Sequence, residues 1–322
     1  MVPVNLPGDF SVKENNFTAD IKFFLLGFQG NQSLRISLFC LTLVVYLGTM
    51  CGNLLIITLV STNKSLHTPM YFFILHLSIS DILLTTDIVP NMLHLLLNNG
   101  GTISFTRCII QFYFFCVSEI SECLLLAVMS YDRYVAICNP LRYTSIMTWT
   151  QCVKLTAISW LVAFTIILSD NISVSMLDFC GPNVIDHFFC DLVPLLAISC
   201  SDTFIVEMEI YLLSFPFAVI PIIIIITSYV NIISTIVKIP SSIGRQKAFS
   251  TCSSHLIVVS IFYVTLFSIY VFPTQGQTLT VSKILSLLYT VFTPFINPII
   301  YSLRNKDIKI AAQKVTWKHI LS

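Results

Sequence analysis

The sequence predicts an all-α membrane protein, a bundle of seven transmembrane helices with the N-terminus outside and the C-terminus inside. Seven apolar stretches follow one another, each long enough to cross a bilayer, which takes about 20 mostly apolar residues. The composition agrees, because 56% of the residues are hydrophobic, only 10% are charged and the mean hydropathy is +0.86. The predicted spans are Arg35–Val60, Met70–Leu97, Arg107–Cys138, Val153–Leu168, Phe204–Val237, Ala248–Phe272 and Ile284–Leu303.

The distribution of basic residues predicts the orientation of these spans. Of the 17 Lys and Arg residues, 12 flank the loops on one side and 5 flank those on the other. The positive-inside rule assigns the side with 12 to the cytoplasm. Residues 1–33 are then an extracellular segment, residues 34–303 the seven-helix domain, and residues 304–322 a cytoplasmic tail with a short amphipathic helix on the membrane lipid. The net charge of +1 gives no indication of a nucleic-acid partner.

The predicted outer side carries a glycosylation sequon and four cysteines. Asn16 begins an Asn-Phe-Thr sequon well clear of the first span, so we expect it to be glycosylated. The cysteines lie in an oxidising space and should form disulfides, but four cysteines allow three pairings and their spacing does not choose among them. They are Cys108, Cys180, Cys190 and Cys200. The last three lie in a long loop, residues 169–202, which has the character of a lid over a cavity.

Two carboxylates are predicted inside the membrane at nearly the same depth. Asp81 lies 12 residues after Pro69, about 18 Å along the second helix, and Glu122 lies 11 residues before Arg133, about 16 Å from the cytoplasmic face. Because buried carboxylates are costly unless satisfied, we expect the pair to share a sodium ion or a proton. Asn53 and Asn297 can reach the same level. The alternative is that these polar groups only hold helices together.

A third carboxylate, Glu119, precedes Glu122 by three residues and lies on a neighbouring part of the same helix face. It is about 16 Å below Cys108, near the floor of any cavity that opens outward. The sequence leaves open whether Glu119 contacts a ligand or bonds to a neighbouring helix.

Two motifs at the predicted inner ends of helices three and seven have the chemistry of a conformational switch. In Asp132-Arg133-Tyr134, the carboxylate can hold the guanidinium until protonation or helix movement frees it. A snorkelling arginine at a helix end is common, so this tripeptide alone is weak evidence. In Asn297-Pro298-Ile299-Ile300-Tyr301, the proline kinks helix seven and Asn297 is placed to satisfy the freed backbone.

Long strings around these motifs resemble the vertebrate odorant receptors, a branch of the rhodopsin-like G-protein-coupled receptors. The resemblance runs from Gly52 to Asn305, nearly the whole chain. The strings that carry it are LHTPMYFF (66–73), MSYDRYVAIC (129–138), SY (228–229), KAFSTCSSHL (247–256) and PFINPIIYSLRN (294–305).

The resemblance implies a multi-pass receptor of the plasma membrane, in the cilia of olfactory neurons, that binds a small, mostly apolar volatile odorant. It implies coupling to an olfactory-type stimulatory G protein that raises cyclic AMP. The implied pocket residues are Phe115, Cys116, Glu119, Ile120, Tyr263, Leu266, Phe267, Tyr270 and Thr290. The implied switch and G-protein residues are Asp132, Arg133, Tyr134, Tyr229, Asn297, Pro298 and Tyr301.

The resemblance also implies disulfides from Cys108 to Cys190 and from Cys180 to Cys200, and a sodium or proton site at Asp81 and Glu122. Two other classes compete with an odorant receptor: a seven-helix receptor for a non-odorant small ligand, and, less favoured, a transporter or channel. The sequence lacks the internal repeats typical of many transporters. An enzyme is not expected, because no catalytic motif is present, and no cofactor is expected apart from the sodium ion.

Overall fold

The structure, a computed structural model, describes residues 21–270, 279–304 and 307–313. These residues are mainly helical, with a small sheet at one end of the helix bundle. The strands are β1 (Lys22–Leu25), β2 (Gly101–Ser104) and β3 (Val184–Ile185). The helices are α1 (Gln32–Thr62), α2 (Pro69–Asn98), α3 (Phe105–Cys138), α4 (Tyr143–Ile146), α5 (Trp149–Ser175), α6 (Leu192–Ile198), α7 (Phe204–Leu213), α8 (Phe215–Val237), α9 (Ser242–Tyr270), α10 (Leu279–Leu287), α11 (Thr293–Arg304) and α12 (307–313).

The long helices correspond to the predicted spans. Among the described residues, six are long and apolar enough to cross a membrane, with α7 and α8 counted together and α10 and α11 counted together. A seventh apolar stretch, Cys252–Ser268 within α9, is shorter. The outer surface of the bundle is apolar: Ile223 and Val230 on α8 and Leu161 on α5 are each more than half exposed. Such a continuous apolar surface faces lipid, so the chain is a multi-pass membrane protein.

The three-stranded sheet is absent from the sequence-based prediction. Strand β1 pairs antiparallel with β2 and parallel with β3, so the N-terminal segment, the α2–α3 connection and the long loop are joined. Phe23 and Leu25 of β1 are fully buried beneath it. Strands of two to four residues are too short for an alternating apolar pattern to stand out from the surrounding loop.

Both disulfides lie at the end of the bundle that carries the sheet, which we call the sheet end. Cys108, in the first turn of α3, pairs with Cys190, and Cys180 pairs with Cys200. The first disulfide therefore links the long loop to α3. The second joins two points within the loop and encloses α6 between them. These are the pairings that the resemblance implies. Asn16 lies outside the described residues.

The fourth span is longer than predicted, because α5 continues past Leu168 to Ser175. The polar residues that were assigned to the loop are satisfied by neighbouring helices. Asn171 Nδ2 donates to the Ile109 carbonyl on α3 at 2.9 Å, and Asp170 accepts a hydrogen bond from the Ser214 hydroxyl. Both side chains are buried. Asp170 is therefore an interior carboxylate and not a loop residue.

The fifth and seventh spans contain irregular turns that the sequence analysis did not predict. The fifth is divided at Ser214, between α7 and α8, just before Pro216, which has no N–H to donate to the preceding turn. In the seventh, Leu288–Phe292 forms a π-helical turn between α10 and α11. Such wide turns are often found at functional sites.

The predicted role of Asn297 in satisfying the backbone at Pro298 is wrong. Pro298 has no N–H, so the Pro294 carbonyl four residues earlier loses its helical donor. Asn53 of α1 supplies the replacement, because its Nδ2 lies 3.3 Å from that carbonyl. Asn297 instead donates to Asp81 at 3.0 Å. Gly52 permits the close approach, since a Cβ there would lie 3.0 Å from the Pro298 ring.

Candidate functional site

A cavity of about 610 Å³ lies at the sheet end of the bundle, between α3, α5, α7, α8, α9 and the loop that carries α6. Most of its lining side chains are apolar, as in Ile120, Ile167 and Phe267. Large apolar cavities with a few polar groups are the usual form of small-molecule sites. The helix break at Ser214 contributes directly, because Ser214 and Phe215 both line the cavity.

Five of the predicted pocket residues line this cavity. They are Cys116, Glu119 and Ile120 on α3, and Leu266 and Phe267 on α9. Their spacing is helical, so each set presents one face. Tyr270 is the last residue of α9, and its side chain lies outside what the structure describes.

Three predicted pocket residues, Phe115, Tyr263 and Thr290, do not line the cavity but pack into the core beside it. The Phe115 ring lies 4.9 Å from the ring of Phe189 and is almost fully buried. Tyr263 packs edge-on against Phe262. The Thr290 hydroxyl donates to a carbonyl of its own helix at 2.8 Å. Phe115 and Thr290 are satisfied by neighbouring protein groups, whereas the Tyr263 hydroxyl is buried with no hydrogen-bond partner among the described residues. Direct contact of these three side chains with a ligand stays a prediction.

Three further carboxylates that were not predicted as site residues line the cavity: Asp170 on α5, Asp191 before α6, and Glu207 on α7. All were assigned to the outer loop or left without a role. A helical signal exists for two of them. Asp170 follows Ile167 by three residues, and Glu207 precedes Ile210 by three, so each shares a face with a lining apolar residue.

At the opposite end of the bundle, which we call the Arg133 end, Asp132 holds two partners. Its Oδ2 accepts from Arg133, with Nε at 3.0 Å, and its Oδ1 accepts from the Tyr143 hydroxyl at 2.8 Å. Burial and the charge of Asp132 raise the pKa of Tyr143, so this hydroxyl remains a donor. Tyr143, on α4, was not predicted as a site residue. Tyr134 is half-buried, with its ring 6.4 Å from that of Tyr131.

A second polar contact near the Arg133 end joins α8 to α9. The Tyr229 hydroxyl lies 2.7 Å from His255 Nδ1, and both side chains are buried. The Tyr301 hydroxyl on α11 is buried with no hydrogen-bond partner among the described residues. Tyr229 and Tyr301 were predicted, but His255, which lies in the KAFSTCSSHL string, was given no role.

Between the two ends, Asp81 and Glu122 are each only 1% exposed and lie close enough for their charges to repel. Asp81 accepts from Asn297, while Glu122 Oε1 has no hydrogen-bond partner in the described parts of the chain. No basic side chain there forms an ion pair with either carboxylate. Asn53 lies at the same depth as these carboxylates, but its Nδ2 donates to the Pro294 carbonyl.

Comparisons with known proteins agree on one family. A family profile described as "Olfactory receptor" matches residues 39–319. Human olfactory receptor 11L1 is 45% identical over 94% of this chain and 94% of its own length. Human olfactory receptor 11H4 is 47% identical over 92% of this chain and 91% of its own length. Mouse olfactory receptor 5G29 is 46% identical over 96% of this chain and 98% of its own length.

The fold is shared with a solved structure of much lower sequence identity. Squid rhodopsin superimposes with a TM-score of 0.72 at 18% identity, covering 89% of this chain and 81% of the rhodopsin chain. Rhodopsin is a seven-helix bundle, so the predicted bundle of seven helices is confirmed, with the small sheet as an addition to it.

Proposed function

Because this chain belongs to the olfactory receptor family, we propose that it binds a small, mostly apolar odorant in the cavity at the sheet end. Binding would activate a stimulatory heterotrimeric G protein at the Arg133 end and so raise cyclic AMP. Proteins of this family are signalling receptors and not enzymes. The observation that carries the proposal is a largely apolar cavity of about 610 Å³. It lies at the opposite end of the bundle from Arg133, which is paired with Asp132.

The sheet end faces outward in this proposal, and the Arg133 end faces the cytoplasm. The excess of basic residues flanking the loops of the Arg133 end supports this orientation. The two disulfides at the sheet end support it further, because disulfides persist in oxidising surroundings. The receptor would then present its cavity to odorants at the surface of the plasma membrane in olfactory cilia.

Arg133 is the proposed contact for the G protein. In the structure its guanidinium is bound by Asp132, the preceding residue of α3, and the Tyr143 hydroxyl donates to the same carboxylate. A ligand that favoured a different arrangement of α8 and α9 would shift the population of states. The Tyr229–His255 contact joins these two helices and would have to change if they separated. Release of Arg133 and Tyr134 would expose them to the G protein.

Asp81 and Glu122 are the proposed site of a shared cation or proton. The residues fit such an occupant, because both carboxylates are buried without a basic partner and one Glu122 oxygen lacks a hydrogen bond. The described residues contain no group of three acidic, His or Cys ligands of the kind that holds a divalent metal. A monovalent ion or a proton is therefore the better match, with Asn297 orienting Asp81.

A screen of cells that express the receptor tests the proposed function. Cyclic AMP is measured during exposure to a broad odorant panel, with cells lacking the receptor as the control. A response to at least one volatile compound is expected. Membrane current or substrate uptake without any cyclic AMP response would instead identify a channel or transporter.

A further inference from the structure

We propose that the ligand of this receptor carries a protonated amine on an apolar body, as in an alkylamine or arylalkylamine. This inference rests on the proposed function, since it names the ligand class for the same cavity. Among the described residues, four carboxylates line the cavity and no Lys, Arg or His does. They are Glu119, Asp170, Asp191 and Glu207.

Asp170 is the strongest single indication of a cationic partner. Its side chain is 3% exposed and lines the cavity from α5. One carboxylate oxygen, Oδ2, accepts from the Ser214 hydroxyl, but Oδ1 is buried and has no hydrogen-bond partner among the residues that the structure describes. A buried, unpaired carboxylate oxygen is unfavourable unless a donor reaches it. A ligand in the cavity can supply that donor.

Glu119, which lines the cavity from α3, has a carboxylate in a similar environment. Its Oε1 is also buried with no hydrogen-bond partner in the described part of the chain, and Tyr289 lies beside its carboxylate on the side of α10 and α11. Glu119 and Asp170 thus face the cavity from α3 and α5, each with one oxygen unsatisfied. Each of these oxygens can accept a hydrogen bond from an ammonium N–H of a ligand.

The other two carboxylates also line the cavity. Glu207 accepts from the Thr203 hydroxyl at 2.7 Å, and this hydroxyl orients the carboxylate without neutralising it. Asp191 Oδ1 accepts from the Leu192 N–H at 2.7 Å. Like charges around one low-dielectric space disfavour the ionised state of each, and a cation among them reverses that effect. An anionic ligand would add to the repulsion.

The arrangement favours an organic cation over a metal ion. Nowhere in the described chain do three or more His, Cys, Asp or Glu side chains gather closely enough to hold a metal. The carboxylates are instead separated by apolar side chains such as Ile120, Ile167 and Phe267. These apolar side chains suit the hydrocarbon part of an amine. Aliphatic amines are protonated at neutral pH, because the pKa of such an amine is about 10.4 in the Lys side chain.

The experiment compares amines with alcohols of the same carbon skeleton. n-Butyl- to n-octylamine and phenethylamine, and the corresponding alcohols, are applied to cells that express the receptor, and cyclic AMP is recorded. The same compounds are added to the purified receptor in a thermal-shift assay, which needs no G protein. Asp170→Asn and Glu119→Gln remove charge but keep hydrogen-bonding groups, and surface expression is measured for each.

The matched control is Glu209→Gln. Glu209 lies two residues from Glu207 on α7, but it does not line the cavity, and it accepts hydrogen bonds from Ser169 and Ser173. We expect at least one amine to act at a concentration at least tenfold lower than its alcohol. Asp170→Asn and Glu119→Gln should each weaken that amine at least tenfold, and Glu209→Gln should change it less than threefold.

Neutral odorants that raise cyclic AMP while no amine activates or stabilises the receptor would overturn the inference and leave the proposed function standing. Amines that stabilise the purified receptor but never raise cyclic AMP would support the inference and contradict the proposed coupling. An amine effect that survives both charge-removing substitutions would place the amine elsewhere and would also overturn the assignment.

Discussion

At the scale of single residues, the bundle depends on buried polar side chains whose partners come from other helices. Asn53 shows how specific these partners are. Its amide reaches across from α1 to the one carbonyl that Pro298 leaves without a donor, and it also donates to Thr49 within its own helix. In a membrane interior no water is available to take its place. Removal of Asn53 should therefore affect stability more than removal of a polar group bonded within one helix.

Asn53→Ala is expected to destabilise the receptor by about 1–3 kcal/mol, the usual effect of leaving a buried acceptor unsatisfied. The measurement is thermal unfolding of the detergent-solubilised protein. Thr58→Ala is the matched control on α1, because the Thr58 hydroxyl is exposed and bonds only to the Leu54 carbonyl. Equal shifts for the two variants would show that the contact with Pro294 contributes nothing.

His187 is expected to make the sheet end sensitive to acid. It is 3% exposed, neither ring nitrogen has a hydrogen-bond partner within residues 21–270, 279–304 and 307–313, and its ring stacks on Phe188. Burial and then the nearby charge of Lys283 lower the pKa of His187 to about 3. The folded state therefore excludes a proton that the unfolded chain binds below about pH 6.5. Stability from the neutral ring is complete above that pH and is lost as the pH falls toward 3.

Between pH 6.5 and pH 5.0 the wild-type receptor should lose about 2 kcal/mol of stability through this residue. His187→Phe, which keeps an aromatic ring but cannot titrate, should lose markedly less over the same interval. Thermal unfolding at the two pH values measures both. If the two proteins respond identically to acid, the ring of His187 is not excluded from protonation in the folded receptor.

At the scale of elements, the sheet end is held by several independent links to the long loop. Strand β3 pairs with β1, Cys190 is bonded to Cys108 on α3, and Lys283 on α10 pairs with Asp186. Lys283 Nζ also donates to the Gly27 carbonyl at 2.8 Å. The loop is therefore fixed to the N-terminal segment, the third span and the seventh span, and its own α6 forms part of the cavity wall.

Loss of the disulfide from α3 should remove the link that positions this wall. Cys108→Ser and Cys190→Ser are each expected to reduce surface expression or odorant response to near background, since a native disulfide commonly contributes about 2–5 kcal/mol. Cys40→Ser, which changes an exposed free cysteine on α1, should leave both intact. Flow cytometry of an epitope-tagged receptor gives the comparison. Peptide mapping that found Cys108 as a free thiol would contradict the pairing.

The elements differ in how far the sequence could predict them. The spans were predictable because a long apolar run is a strong sequence signal. The four residues of β1 are too few to give such a signal. The end of α5 was not predicted because polar residues such as Asp170 and Asn171 are typical of loops. Only the structure shows that Asp170 accepts a hydrogen bond from Ser214 and that Asn171 donates one to the Ile109 carbonyl. Thr290 was placed in the pocket by position alone, although its hydroxyl is bonded within its own helix.

At the scale of the whole molecule, two polar centres lie between the cavity and the Arg133 end. The pair of Asp81 and Glu122 lies in the middle of the bundle, with Asn297 joining α11 to α2. The Tyr229–His255 contact lies nearer the Arg133 end. The depth of Asp81 and Glu122 could be predicted from helix geometry, but the choice of partner could not, because it depends on the rotation of each helix about its axis.

The double variant Asp81→Asn with Glu122→Gln tests whether the middle pair affects signalling. It removes both carboxylates while keeping hydrogen-bonding groups. We expect it to abolish the dependence of signalling on sodium concentration and to change basal or agonist-driven cyclic AMP. A response identical to wild type across sodium concentrations and pH would reduce the pair to a structural contact between α2 and α3.

The most direct test of the central claim, that a ligand in the cavity acts through Arg133, is a comparison of wild type with Arg133→Ala. Cyclic AMP is recorded for an odorant that activates the wild type, together with surface expression and thermal stabilisation of each purified protein by the same odorant. The account predicts that Arg133→Ala reaches the surface and is stabilised by the odorant, yet raises no cyclic AMP. Normal signalling by Arg133→Ala would contradict it.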